Sequence, residues 1–161
     1  MKKTFLLFIF LMLFIVNTKA QISNNVLGCI LGKSTKAECF QKLESRGAEY
    51  YEDNVYLANP QFIGVRWAGV MFFFSKTGKL SNALFLADYS QSKWNTALYH
   101  INKNYSKFFK KNDSSTFLKY YSDKKQFIEL KRDGNNISYR ILNIDATVDD
   151  DFGELFNMFG L

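Results

Sequence analysis

Proline and histidine each occur once in the 161 residues, as Pro60 and His100, and cysteine only twice. One proline excludes a collagen-like chain or a polyproline linker, and two cysteines exclude a disulfide-packed miniprotein. A single histidine leaves no multi-histidine metal site and no partner set for a histidine-based triad. Charged residues make up 22% of the chain and hydrophobic ones 47%, a balance too apolar for a disordered tail and suited to a globular domain of ordinary size. Beyond residue 20 no apolar run approaches the roughly 18 residues that a membrane-crossing helix needs.

The first 20 residues have the three parts of an export signal. Lys2 and Lys3 precede an apolar run from Phe5 to Val16, and Ala20 stands at the expected cleavage point. Removing residues 1–20 takes away three lysines and no acids, so the net charge falls from +6 to +3. The expectation is one exported domain, 21–161, in the periplasm or outside a bacterial cell, with no intracellular nucleic acid as partner and no membrane span after cleavage. An uncleaved anchor is the alternative.

In an oxidising compartment an even cysteine count predicts pairing, here a Cys29–Cys39 disulfide; two buried free thiols are the competing reading. The stretch Val26-Leu27-Gly28-Cys29 also looks like a lipoprotein cleavage box, but polar residues separate it from the apolar core of the signal.

Thr35 and Glu38 fit a capping box and Gly47 a helix stop, predicting a helix over 35–46. Strands are predicted over 54–58, 62–67, 70–74 and 80–87, the last two joined by a hairpin at Thr77-Gly78. Trp94, Ala97, Leu98, Ile101, Tyr105, Phe108 and Phe109 share roughly 120° of a helical wheel, which predicts an amphipathic helix over 91–111 capped by Ser90 or Ser92, with Lys103, Lys107 and Lys110 opposite. Strands follow at 117–121, 126–131 and 137–144, with Asp133-Gly134 as a two-residue turn placing Leu130 opposite Ile137. Phe152, Leu155, Phe156 and Phe159 share one face of a short helix over 149–159, expected to dock on the core or to remain a loose, partner-seeking tail.

The fold class is therefore α+β: a mostly antiparallel sheet with helices on one face. Its two halves, 28–88 and 89–145, read as a degenerate tandem repeat of helix plus β-meander. Residues 31–38 and 43–47, with Phe62-Ile63-Gly64-Val65, the phenylalanine-rich hairpin and Trp94 leading to Tyr105, resemble small exported bacterial proteins in the superfamily of beta-barrel-assembly lipoprotein E and the beta-lactamase inhibitory protein. The resemblance implies a tandem helix-plus-meander fold and a non-catalytic, protein-binding habit. It carries over no catalytic residues.

The chemistry-bearing patterns are weak. Gly28 to Ser34 imitates a phosphate-binding loop with one residue too few between its glycines. Asp149, Asp150 and Asp151 lack the alternation and central glycine of a calcium loop. His100 falls on the polar arc of the long helix, as a solvated surface residue. No catalytic residue, metal or cofactor is expected, and the chain is read as a non-enzyme.

Two features could bind a macromolecule. Aromatic strands put large side chains on both sheet faces, so Trp67, Phe73, Tyr50 and Tyr51 are candidates for contact with an unknown protein partner, unless a second buried layer covers them. Between Lys93 and Arg132 ten basic residues face three acidic ones, and Lys103, Lys107, Lys110 and Lys111 are the candidates for an anionic lipid, glycan or extracellular nucleic acid, against the plainer reading of a solvated helix face.

Overall fold

The capping box forms as the sequence predicts. In the computed structural model, which describes residues 23–105, 109–122 and 126–143, Thr35 Oγ1 accepts from the Glu38 amide at 3.3 Å. Glu38 Oε2 in turn accepts from the Thr35 amide at 2.8 Å, opening α1 (Lys36–Leu43). A 3-10 turn, Glu44–Arg46, ends at Gly47, whose φ of 84° a side chain would resist. The Thr35 amide also holds the Glu38 carboxyl below the usual carboxylate range. A depressed carboxylate supports folding above its unfolded value of about 4.3 and loses that support as pH falls through the folded value. Thr35→Ala should cost about 1 kcal/mol in urea denaturation at pH 7, and Glu38→Gln should flatten the loss of stability that sets in as pH falls below about 4.3.

The main sheet has eight strands in the order β3-β4-β7-β8-β12-β11-β10-β9, every neighbour antiparallel. Its strands are β3 (Ala48–Tyr51), β4 (Asn54–Ala58), β7 (Gly69–Phe74), β8 (Leu80–Asp88), β9 (Phe109–Ser114), β10 (Phe117–Ser122), β11 (Gln126–Asp133) and β12 (Asn136–Asn143). Two small hairpins stand outside it: β1 (Asn25–Val26) with β2 (Cys29–Ile30), and β5 (Gln61–Phe62) with β6 (Val65–Arg66). The connectivity runs twice through a helix and a four-stranded meander. The last strands of the two meanders, β8 and β12, pair to join them, with Phe85 opposite Tyr139 near the middle of the seam.

Three expectations are corrected. The long helix, α2 (Gln91–Tyr105), stops before Phe109, which opens β9; Phe108 lies outside the described residues. Asparagine and serine at 102, 104 and 106 weaken the helix, and β10 gains a ladder partner from β9, so pairing overrides the wheel pattern. Residues 62–67 are not one strand but the β5–β6 hairpin, turned by Ile63 (φ 46°) and Gly64 (φ 74°). The β11–β12 turn is Gly134-Asn135, flanked by Asp133 opposite Asn136, so Leu130 faces Tyr139 and Ile128 faces Ile141. The slip is two residues, which preserves the face of every side chain; a slip of one would have inverted them all.

One face of the sheet carries the core. Val55, Leu57, Val70, Phe72, Ala83, Phe85, Ile128, Leu130, Ile137, Tyr139 and Ile141 pack there with Trp94, Ala97 and Ile101 of α2, Cys39 and Leu43 of α1, and Val26, Cys29 and Leu31 around the first hairpin. Ser90 caps α2, its Oγ accepting from the Lys93 amide at 3.2 Å. The β5–β6 hairpin folds over the seam: Phe62 stacks on Phe85 at 4.7 Å, and the Trp67 indole donates to the Phe62 carbonyl at 3.1 Å. No described helix is long and apolar enough to cross a membrane. The expected signal segment 1–20, the helix over 149–159 and Lys107 lie outside the described residues.

Candidate functional site

Strand alternation puts a second set of side chains on the opposite face of the sheet. Tyr56 of β4 is opposite Met71 of β7, which is opposite Leu84 of β8. One pleat along, Phe73 faces Asn82, Asn82 faces Leu142 and Leu142 faces Phe127. In the other direction Gly69 faces Leu86. Met71, Phe73, Leu84 and Leu86 form a hydrophobic cluster separate from the main core, with Tyr56 against it, and no residue of α1 or α2 belongs to it. Towards β10 the same face becomes charged. Arg140, Glu129 and Lys119 run across it in register, Lys119 Nζ lies 3.5 Å from Glu129 Oε2, and the ammonium stands 4.1 Å from the centre of the Phe127 ring.

At one end of the apolar patch is a cavity of about 180 Å³ lined by Tyr56, Gly69, Met71, Leu84 and Leu86 among others. Gly69 makes this room: a Cβ there would lie 2.6 Å from the Tyr56 ring. A dry cavity of about 150 Å³ takes a benzene molecule, so this one has space for one aromatic or branched aliphatic side chain.

The predicted site residues separate. Phe73 lies on the second face. Trp67 does not: it is 1% exposed inside the main core, beneath the hairpin, so a charged residue there would unfold the protein and not probe a surface. Tyr50 and Tyr51, on edge strand β3, are 53% and 39% exposed. Tyr50 points to the helix side, stacked on Phe40 at 4.1 Å, and the pairing of Tyr51 with Asn54 puts it on the second face. Tyr56, Met71, Leu84 and Leu86 were missed because burial in a strand looks the same from either side. The parity of Met71 and Phe73 against Val70 and Phe72 was the available signal.

The four lysines do not share a helix face. Lys103 sits near the end of α2, whereas Lys110 and Lys111 belong to edge strand β9. His100 is half-buried, its ring against Gly64 of the β5–β6 turn, and not a solvated residue.

The expected disulfide is absent. Cys29 and Cys39 are free and buried. Cys29 on β2 and Cys39 on α1 meet as small hydrophobes where hairpin and helix pack together. The Cys39 thiol hydrogen-bonds to the Cys29 sulfur, which holds Cys29 below the ordinary thiol range with help from Lys42 and Arg46; the same contact and burial push Cys39 up. The residues that imitate a phosphate loop are spent on the β1–β2 turn and on Ser34, whose Oγ accepts from the Ile30 amide at 2.9 Å. Among the described residues no group of three or more histidine, cysteine, aspartate or glutamate side chains could hold a metal ion. No protein-family model, curated protein or solved structure matches the chain.

Proposed function

We propose that this protein is an exported, non-enzymatic binding or assembly domain that engages a protein partner through the second face of its sheet. The apolar patch of Tyr56, Met71, Phe73, Leu84 and Leu86, outside the reach of both helices and ending in a cavity sized for one side chain, carries the reading. Interfaces of this kind concentrate their energy in a few pocketed anchors ringed by polar groups, and the Lys119–Glu129–Arg140 row supplies such a rim. The tandem helix-plus-meander connectivity agrees with the resemblance noted from the sequence.

Cleavage at the lipoprotein-like box would remove β1 and with it Val26, which is wholly buried, so release after Ala20 suits the fold better than a lipid anchor at Cys29. Export would also expose the thiol pair to disulfide-exchanging oxidants. A small-molecule disulfide should oxidise Cys29 and Cys39 to a disulfide while being reduced to two thiols, read as the loss of two hydrogens in intact mass, and Cys39→Ser should abolish it. The anionic-surface alternative has lost its helix face to the helix–strand boundary at 105–109.

The test is a cross-linked pull-down from envelope extract with Leu84→Asp on the patch and Tyr99→Asp on exposed α2 as control. Leu84→Asp should weaken recovery of a stoichiometric partner by about 30-fold, the scale of a lost interface hot spot, and Tyr99→Asp should leave it unchanged. Equal recovery with both, in folded protein, would count against the second face.

A further inference from the structure

The second face is drier than strands alone can make it. Met71 is 2% exposed, Leu84 5%, Phe73 and Leu86 8% each, although among the described residues their cluster contains only strand residues. Between Phe73 and Leu142, Asn82 is 0% exposed, and neither its Nδ2 nor its Oδ1 has a hydrogen-bond partner among the described residues. A buried amide with both ends unmet calls for a polar group from whatever lies on the face. An occupant should therefore be mainly apolar, with at least one backbone or side-chain group to offer.

We propose that the occupant is this chain's own segment 149–159, laid across the second face through Phe152, Leu155, Phe156 and Phe159, and that a partner gains the patch by displacing it. The displacement clause rests on the function proposed above; the occupancy does not. The apolar side chains recur at helical spacing and supply the required surface. Reach is sufficient. From β12 to β4 is three strand spacings, about 14 Å; residues 144–148 span up to about 17 Å extended, and 149–159 as a helix would add about 16 Å. β12 ends at Asn143, one residue past Leu142, which lies on this face beside Asn82.

Charge gives the orientation. Residues 144–161 hold five acids, Asp145, Asp149, Asp150, Asp151 and Glu154, and no base. Beside the Leu142–Phe127 pair at the end of β12, this face carries Arg140 and Lys119 against Glu129, in register on β12, β10 and β11. Acids at the start of the segment would meet this strip, with the phenylalanines beyond them over β8, β7 and β4. A second copy of the chain would bring the same apolar side chains, but at a local concentration set by dilution and not by a five-residue tether.

Met71 is the reporter, because Met71 and Met158 are the only methionines after residue 20. Peroxide oxidation of Met71, read by peptide mass spectrometry, should be at least about tenfold faster in a chain ending at Val148 than in the chain running to Leu161, since sulfoxide formation follows exposure. Phe156→Asp in the full chain should give the same acceleration with an unchanged circular dichroism spectrum, and a peptide of residues 145–161 should restore protection to the shortened chain. Equal rates in the full chain and in both variants would overturn the proposal, as would protection that disappears on dilution, which would assign the face to a second copy. Partner capture by the shortened chain is a separate reading. Fast Met71 oxidation without capture would leave the occupancy standing and remove the proposed function.

Discussion

Replacing Phe85 by alanine should lower the unfolding free energy by about 3–5 kcal/mol, the cost of deleting a fully buried phenylalanine that its surroundings cannot collapse to fill. Phe85 is wholly buried. Its ring is held from three sides: stacked on Phe62 at 4.7 Å, tilted against Trp67 at 5.7 Å and edge-on to Tyr139 at 5.9 Å. These neighbours come from the hairpin, from the residue that follows it and from the opposite meander, so the lost ring weakens the seam and its cover together. For a domain stabilised by about 5–15 kcal/mol this is a third or more of the total in the usual case. Urea denaturation should show a lower midpoint with an unchanged slope. Phe62→Ala should cost less in the Phe85→Ala background than alone, by the roughly 0.5–1.5 kcal/mol that a stacked pair contributes beyond burial. A loss below 1 kcal/mol for Phe85→Ala would mean that the seam is not where the two halves are held.

The second large effect is expected at Gly64. Its φ of 74° lies in the left-handed region, where a side chain costs about 1–2 kcal/mol. A Cβ would in addition run into the His100 ring, with the Thr96 methyl 3.0 Å away. The strain cannot be passed along the turn, because Ile63 already sits at φ 46°, a conformation that β-branched residues rarely adopt, and is packed against the core. Gly64→Ala should therefore cost about 2–4 kcal/mol, combining backbone strain with overpacking. His100→Ala should recover the steric part and leave the backbone part. If the double variant is no more stable than Gly64→Ala alone, the hairpin does not bear on α2 through His100.

The two substitutions probe the feature that the sequence disclosed least. Residues 62–67 carry alternating apolar side chains, and that pattern reads as a strand. Gly64 was visible, but the turn also places an isoleucine at positive φ, which no local preference favours; only the stack of Phe62 on Phe85 and the burial of Val65 and Trp67 make it worthwhile. The lone histidine was assigned to solvent from its helical angle, because nothing in the chain announced that a hairpin thirty-odd residues earlier would fold onto α2.

The candidate surface was half legible. Phe73 was named from the sequence, and the register shows why: it is one pleat from Met71 on the side that neither helix reaches. Trp67 was named with it on the same grounds, large and aromatic, and lies in the opposite layer. Size and hydrophobicity do not say which way a side chain points; parity within a strand does, once the strand is placed. The lysine set failed for a related reason. A wheel drawn over 91–111 assumes one continuous helix, and the ladder partner that β10 recruits at Phe109 ends that assumption.

Local interactions were enough to determine the capping box at Thr35, the stop at Gly47, the cap at Ser90, the α+β class and the alternation of β11 and β12, because each depends on contacts within a few residues or on a period the chain itself carries. Strand order, the β8–β12 seam, the helix–strand boundary before Phe109, the free state of the Cys29–Cys39 pair and the choice of which apolar face the helices cover were decided only in three dimensions. Each of those depends on segments tens of residues apart competing for the same partner. The energy that settles such a competition is burial and backbone pairing between segments, not the preference of either segment alone.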